Sequence, residues 1–287
     1  MSTINNAIDA ATAPQNFSGG VTFGGSVTFS ALASATTTDI VYIDPVTGLL
    51  AKGAVPSGGG AVTQLVTILT SGTSFTPNAK TLWATVELFG AGGGGGSTFA
   101  NASAVSAGAG GGAGGYLQVT MLKADFGGSL TYSLGVGGTG GTAGNAGNPG
   151  TSTTIASLTL SATGGGGGTA TGAASTAYQI CGGGAGGSGG GTFGSSTISL
   201  SGENGEDGID QFLTGVSFAY GGRGGHAVKY YHGGHSTLAI SGGTVAQGIV
   251  GALGSGGSGG ANNLDGTSGV GGTGGNGVII TTEYLSS

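Results

Sequence analysis

Trp83-Ala84-Thr85-Val86-Glu87-Leu88-Phe89 is a β-type run that passes through Gly90-Ala91 into five consecutive glycines, Gly92–Gly96. The same order recurs down the chain. Ile155–Ala162 precedes Gly164–Gly168, and further blocks lie at Gly182–Gly191, Gly221–Gly225 and Gly254–Gly260. A flexible glycine-rich linker would not carry strands between its blocks. The alternation therefore predicts a folded all-β domain in which glycine is a building material.

Composition pulls the other way. Glycine supplies 73 and proline 5 of 287 residues, inside the range of roughly 25–30 % that signals disorder. Two features oppose disorder. Hydrophobic residues still make up 37 % and are clustered, and only 6 % of residues are charged, for a net charge of −6. Disordered chains normally carry high net charge and few apolar residues. Glycine loses more backbone entropy on folding than any other residue. Dense backbone hydrogen bonding must offset that loss. Large side chains are too few for an ordinary core, which favours an oligomer.

The same numbers exclude several function classes. Five Lys and Arg in all cannot form the clustered basic surface that nucleic acid requires, so no nucleic-acid partner is expected. One cysteine, Cys181, permits no internal disulfide and reads as a small buried residue. Met1–Gln15 lacks the basic and apolar regions of a signal peptide. No run approaches the ~18 apolar residues of a membrane helix, so no membrane insertion is expected. No lysine follows Gly and precedes Ser or Thr, so there is no phosphate-binding loop. Chance Gly-x-Gly-x-x-Gly strings carry no weight at this composition. With few carboxylates and no nucleophile elbow, the chain is not expected to be an enzyme, and no cofactor is implied.

Two segments emerge along the chain. In residues 1–60, Met1–Ala13 has helical spacing (Ile4, Ala7, Ile8, Ala11), and Asn16–Ser30 alternates Phe17, Val21, Phe23, Val27 and Phe29 with small polar residues. Ile40–Ile43 reads as a strand before the turn Asp44-Pro45-Val46-Thr47-Gly48. Pro56-Ser57-Gly58-Gly59-Gly60 reads as a hinge. Residues 61–287 hold strands at Gln64–Thr70, Leu82–Phe89, Tyr116–Met121, Ser129–Val136, Ile155–Ala162 and Gly277–Tyr284. The last is expected to close a sheet beside the first strands.

Between them, Thr163–Asn276 is glycine blocks joined by short apolar pieces: Ala177–Cys181, Thr197–Leu200, Gln211–Tyr220 and Thr237–Ile240. Three-residue spacing appears in Gly137-Gly138-Thr139-Gly140-Gly141-Thr142 and Gly271-Gly272-Thr273-Gly274-Gly275-Asn276. A polyproline II helix has three residues per turn and no internal hydrogen bonds. Packed polyglycine II helices, pairing their free N–H and C=O groups across neighbours, are the favoured reading. Long flexible loops are the alternative, uncommon at this length. The fold expectation is thus a β-sandwich-like glycine-rich domain with polyglycine II helices, preceded by a short N-terminal segment.

Several pieces together carry a resemblance. They are Phe75-Thr76-Pro77 with Leu82–Gly96, Gly114–Val119, Leu130–Gly138, Gly147–Thr153 leading to Gly164–Gly168, and Gly274–Ile280 before Glu283-Tyr284. The stretch Thr73–Tyr284 resembles the glycine-rich domain of bacteriophage tail fibres and tail-tip adhesins. Tyr42–Leu49 is similar, more weakly, to a segment near the N-terminus of phage fibre proteins. The resemblance implies a virion fibre or spike located on the tail or capsid surface, and extracellular after lysis. It further implies a homotrimer, attached to other virion proteins through residues 1–60, whose head binds a host surface glycan or protein. A purely structural virion component, a self-assembling filament subunit and an ice-binding protein are the alternatives.

Within such a head, Gly221–His235 is the most functional-looking segment. It gathers all three histidines and two of five basic residues. Aromatic and Arg side chains dominate binding hot spots, so Arg223, His226, Lys229, Tyr230, Tyr231, His232 and His235 are the candidate receptor contacts, shown on a glycine-flanked loop. Loops around Phe99, Tyr178 and Phe193 are expected to be displayed with it. A tip loop without ligand, or a contact between subunits, is the competing reading. His232-Gly233-Gly234-His235 lacks the fixed geometry of a metal site. The acidic run Glu203–Asp210 does not have the spacing of a calcium loop. No metal is assigned.

Overall fold

The computed structural model describes residues 39–43, 50–54, 62–172, 178–191, 197–213, 216–229, 231–240 and 242–286. The chain divides into two compact units, Met1–Gly59 and Gly60–Ser287. In the first, β1 (Asp39–Ile43) and β2 (Leu50–Ala54) form an antiparallel ribbon that pairs Asp39 with Ala54 and Ile43 with Leu50. The helix expected at Met1–Ala13, the alternation at Asn16–Ser30 and the turn Asp44–Gly48 lie outside the described residues. No α-helix occurs among the described residues, and the second unit is built of antiparallel sheets.

At one end of that unit, here the base, two five-stranded sheets pack face to face. One has the order β13 (Thr197–Leu200), β7 (Tyr116–Leu122), β5 (Thr81–Phe89), β19 (Val278–Leu285), β3 (Thr63–Leu69). The other runs β12 (Gly189–Gly190), β10 (Leu160–Ala162), β9 (Thr153–Ile155), β8 (Leu130–Ser133), β4 (Ser74–Phe75). Period-two alternation in β5 sends Ala84, Val86 and Leu88 inward, where they meet Leu117, Val119, Met121, Leu130, Ile155, Leu160 and Ile279. The closing strand β19 lies between β3 and β5, as its position at the end of the apolar pattern predicts. Its Glu283 is buried yet satisfied, accepting from the Asn78 N–H at 2.7 Å and the Thr81 hydroxyl at 2.5 Å. The single strand expected at Ile155–Ala162 is instead a hairpin. A 3-10 turn, Ala156–Leu158, separates β9 from β10, and Thr159 takes φ 54°.

The glycine blocks leave this base as rods. The donors of residues 90–98 give the rule. Gly90, Gly93 and Gly96 donate to Gly115, Gly112 and Ala109; Ala91, Gly94 and Ser97 to Thr151, Asn148 and Asn145; Gly92, Gly95 and Thr98 to Gly275, Gly272 and Gly269, all between 2.8 and 3.2 Å. Every third residue returns to the same neighbour, the signature of a three-residue turn. The carbonyls of the same run accept from three further segments, through Gly138, Gly165 and Gly257 among others. It therefore has six neighbours, as in hexagonal packing.

Twelve such rods follow in chain order: r1 (90–98), r2 (108–115), r3 (135–142), r4 (145–151), r5 (163–169), r6 (182–188), r7 (202–207), r8 (222–227), r9 (231–235), r10 (247–253), r11 (255–260) and r12 (269–277). Their hydrogen bonds order them in four rows: r4-r5-r6, r3-r1-r2-r7, r12-r11-r8 and r10-r9. Rods r1, r2 and r11 are each enclosed by six others, and the remaining nine form the perimeter. The chain runs alternately away from the base and back to it. The packed-rod reading of the glycine blocks holds, and the flexible-loop alternative does not.

The reason for glycine is spacing. A Cβ on Gly93, Gly94 or Gly95 would stand 2.0, 2.1 or 2.0 Å from the carbonyl oxygens of Gly166, Thr139 and Ser258, on three different rods. The left-handed φ that glycine permits is used at the turns instead, at Gly144 between r3 and r4 and at Gly254 between r10 and r11. The inner rods hold nothing larger than Gly, Ala, Ser and Thr.

At about 3.1 Å per residue, rods of five to nine residues span roughly 15–28 Å between the base and a second pair of sheets, the cap. The outer cap sheet has the order β11 (Tyr178–Cys181), β14 (Gly208–Leu213), β15 (Val216–Gly221), β16 (Thr237–Ile240). The inner one has the order β17 (Thr244–Ala246), β18 (Ala261–Asn263), β6 (Val105–Ala107). Their shared core is small: Ala219, Ala239 and Ala261, with Ala246 against them.

Gly94→Ala is expected to cost about 3 kcal/mol by overpacking, read as a fall in the urea midpoint. Gly266→Ala, whose added Cβ would meet nothing within 4 Å, should change it by less than about 0.5 kcal/mol. Equal effects at the two positions would refute the close-approach account.

Candidate functional site

Antiparallel register assembles one surface from residues far apart in sequence. Opposite Tyr178 and Ile180 of β11 stand Gln211 and Ile209 of β14. Opposite those stand Phe218 and Tyr220 of β15, and opposite these Ile240 and Leu238 of β16. All eight belong to one face of the outer cap sheet, because side chains two apart share a face. Their alternating neighbours Cys181, Asp210, Ala219 and Ala239 are buried on the other side. Tyr178, Ile180, Leu238 and Ile240 are 53–60 % exposed. Only Gln211 among the eight is not apolar or aromatic, and none is charged.

Rods r7, r8 and r9 continue this face toward the base with charge. Their three-residue period places Glu203 and Glu206 on r7, Arg223 and His226 on r8, and His232 and His235 on r9. The Arg223 Nη2 lies 3.1 Å from Glu206 Oε1 and 3.5 Å from Glu203 Oε1. Tyr220 links the two halves, its hydroxyl donating to Glu206 Oε2 at 3.2 Å. The His226 N–H donates to Glu203 Oε2 at 2.9 Å. Its ring meets that of His232 edge-on, with centroids 5.1 Å apart. Partial burial holds the His226 pKa below its usual value, and the Arg223 charge adds to that against the pull of Glu203. Exposed ion pairs of this kind contribute little stability. Their effect is to give the lower half of the face a fixed pattern of charge.

The segment Gly221–His235 is therefore not a loop displayed at a tip. It is a rod, a turn and a second rod, with the turn at the base. Lys229 occupies that turn at φ 74°. Its Nζ donates to Glu87 Oε1 at 2.5 Å, to the Tyr116 hydroxyl at 2.5 Å and to Gln118 Oε1 at 3.0 Å. Tyr231 packs with Phe89, Tyr116 and Val278, its ring edge-on to Phe89 at 6.0 Å. Of the seven candidates, Arg223, His226, His232 and His235 share the flank, and Lys229 and Tyr231 are turned into the base. Tyr230 lies outside the described residues, as does Phe193.

The acidic run Glu203–Asp210 is likewise divided by structure. Asn204 and Asp207 accept from the N–H groups of Gly186 and Gly183 at 2.8 and 3.0 Å, completing the lattice at the perimeter. Asp210 is buried beneath the aromatic face, and neither carboxyl oxygen makes a well-formed hydrogen bond. Cys181 is buried as well, its thiol near the carbonyls of Ala107 and Gly208, and burial pushes its pKa up to about 11.

Residues 67–284 match the family described as a glycine-rich domain. The chain belongs to that family. The match spans about three quarters of the sequence and takes in all twelve rods, the cap and the base sheets apart from the start of β3 and the last residue of β19. No curated protein matches the chain.

Of the upper half of the glycine-rich domain's flank, sequence reasoning singled out Tyr178 as displayed but missed the sheet face to which it belongs. Tyr178, Gln211, Phe218 and Leu238 come from four short strands, and only their register brings them together. The signal available was the repeated alternation in Gln211–Tyr220 and Thr237–Ile240, too short to show which face is covered.

Burial pushes the Asp210 pKa up to about 6, while the Thr171 hydroxyl and the backbone of Ala107 and Gln179 pull the other way. The folded cap thus binds this proton more tightly than the unfolded chain, whose carboxyl titrates near 3.8. The stabilisation is complete below that value and is lost as pH rises through about 6. Calorimetry from about pH 4 to pH 7 should show the thermal midpoint of wild type falling more than that of Asp210→Asn. Identical profiles would assign the effect to another group.

Proposed function

We propose that the chain is a non-enzymatic attachment protein of a virion, a tail fibre or spike whose glycine-rich domain binds a host surface glycan or protein. The observation that carries this reading is the flank just described. An uncharged aromatic and aliphatic sheet continues into a strip of Arg, His and Glu, on six-residue rods that hold it about 20 Å from the base. The polypeptide enters this unit at β3 and leaves it at β19, both in the base sheet. Within this unit the cap is thus the end remote from both β3 and β19, and a remote end suits presentation to another surface.

In this reading residues 1–60 join the protein to other virion proteins and help assemble a homotrimer. Residues 61–287 form the head. Contact is made by Tyr178, Phe218, Tyr220 and Ile240, with Arg223, His226, His232 and His235 at the margin. Aromatic side chains supply large contact area, and Arg supplies directional hydrogen bonds. Three such faces on one assembly would raise avidity without any single tight site.

Phe218→Ala with Ile240→Ala is expected to reduce adsorption of particles to host cells at least tenfold, and Arg223→Ala several-fold, with particle assembly intact. Normal adsorption by the double variant would overturn the assignment of the face. Finding the protein enclosed within the particle would favour a purely structural role instead.

A further inference from the structure

Asp210 lies between the two cap sheets. It pairs with Gln179 of β11 and Ala219 of β15, and its buried side chain faces away from the exposed surface, toward the inner sheet. Neither carboxyl oxygen makes a well-formed hydrogen bond. The neighbouring Thr171 hydroxyl is already committed. It donates to the Ala107 carbonyl at 3.1 Å and accepts from the Ala107 N–H at 2.8 Å. The strands around Asp210, which are β6, β11, β15, β16 and β18, hold no charged residue. Their titratable groups are the Cys181 thiol, buried on β11, and Tyr178 and Tyr220, which belong to the opposite face. Asp207, at the end of r7, is turned to the perimeter, where its Oδ1 accepts from the Gly183 N–H at 3.0 Å. No cation from these elements offsets a charge on Asp210. A carboxylate buried without partners is costly, so the group keeps its proton instead.

The two cap sheets are also anchored differently. In the inner sheet β6 runs directly into r2 and β18 directly out of r11, and both rods are enclosed by six others. The four strands of the outer sheet continue r6, r7, r8 and r9, all on the perimeter. Between the sheets lie Ala219, Ala239, Ala261 and Ala246. One polar bridge crosses there, in which Asn263 Nδ2 donates to the Ser217 and Ala239 carbonyls at 2.8 and 3.3 Å. Alanine buries little apolar area, so this interface is weaker than the base core of Val, Leu and Ile. Segments held by few buried apolar contacts open at lower free energy than the whole fold.

We propose that Asp210 is a proton-operated latch of the cap: protonated, it lets the outer sheet β11-β14-β15-β16 seat on the inner one, and ionised, it releases the outer sheet while the rods and the base stay closed. The released sheet is the one that carries Tyr178, Phe218 and Ile240, so the proton sets how firmly their face is mounted. The latch is independent of what that face binds. Release brings Asp210 into water, where its carboxyl titrates near 3.8, whereas the closed cap holds the proton up to about 6. The closed form is therefore favoured most in acid and loses that advantage as pH rises through about 6. Linkage between these two values makes release about tenfold more populated at about pH 8 than at about pH 5.

Cys181 reports the release, because its thiol is buried in the same sheet and is the chain's one cysteine. Its labelling by a pyridyl disulfide is measured on the purified full-length chain, for wild type and Asp210→Asn. Dividing the two rates removes the thiol's own ionisation. The wild-type rate relative to the variant is expected to rise about tenfold from about pH 5 to about pH 8. Hydrogen exchange in the wild type needs no variant. After correction for intrinsic rates, β14 and β15 should lose about tenfold in protection over that range, and β5 and β7 should keep theirs. A flat rate ratio would overturn the proposal. So would an equal loss of protection in cap and base, which would mark global unfolding in place of a latch.

Discussion

A polyglycine II rod has no hydrogen bonds of its own, so every N–H and C=O along it must be met by another rod. That requirement organises the whole domain. It can be met on all sides only if six neighbours approach within hydrogen-bonding distance, and at that spacing a Cβ has nowhere to go. Glycine is thus selected by the separation of the rods rather than by φ. The same separation forbids any sizeable side chain inside the lattice. Apolar side chains are displaced to the two ends and to the perimeter.

The ends answer this in different ways. At the base, alternation in β5, β7 and β19 builds a core of Val86, Leu88, Leu117, Val119 and Ile279, where burial supplies ordinary hydrophobic stabilisation. At the cap the sheets meet through alanines, and one layer carries Asp210 beneath its uncovered face. The rods between contribute many backbone hydrogen bonds of modest net value, about 0.5–1.5 kcal/mol each, against the large entropy cost of ordering glycine. Ser255 and Ser258 show how completely the lattice is satisfied. Their hydroxyls accept from the N–H groups of Ala227 in r8 and Ile249 in r10, at 3.2 and 2.8 Å.

Much of this could be read from residue order. Strands at Leu82–Phe89, Tyr116–Met121 and Gly277–Tyr284 appear within two residues of their final limits, because runs of seven to nine alternating β-type residues have few other uses. Three-residue spacing at Gly137–Thr142 and Gly271–Asn276 marked r3 and r12. The site was only half legible. Arg223 and the histidines stood out by their rarity, but rarity does not report direction. Lys229 and Tyr231 share the segment and its chemistry, yet a left-handed turn at the base points them at Glu87 and Phe89. The four strands that form the aromatic face are four to six residues each, and short alternations do not say which neighbour they will meet.

By itself the sequence determined that the domain is all-β, that its glycine blocks pack as rods, and that few large side chains remain to do anything else. Those properties are local: they follow from the volume, hydrogen bonding and period of residues adjacent in the chain. The tertiary structure alone decided that there are three inner and nine perimeter rods, that β3 and β19 lie side by side in the base, and that one face of the outer cap sheet stays exposed among the described residues. These depend on strand register and on the order in which rods enter the lattice. Both are settled by contacts between residues as distant as Tyr178 and Gln211, or Val66 and Thr282.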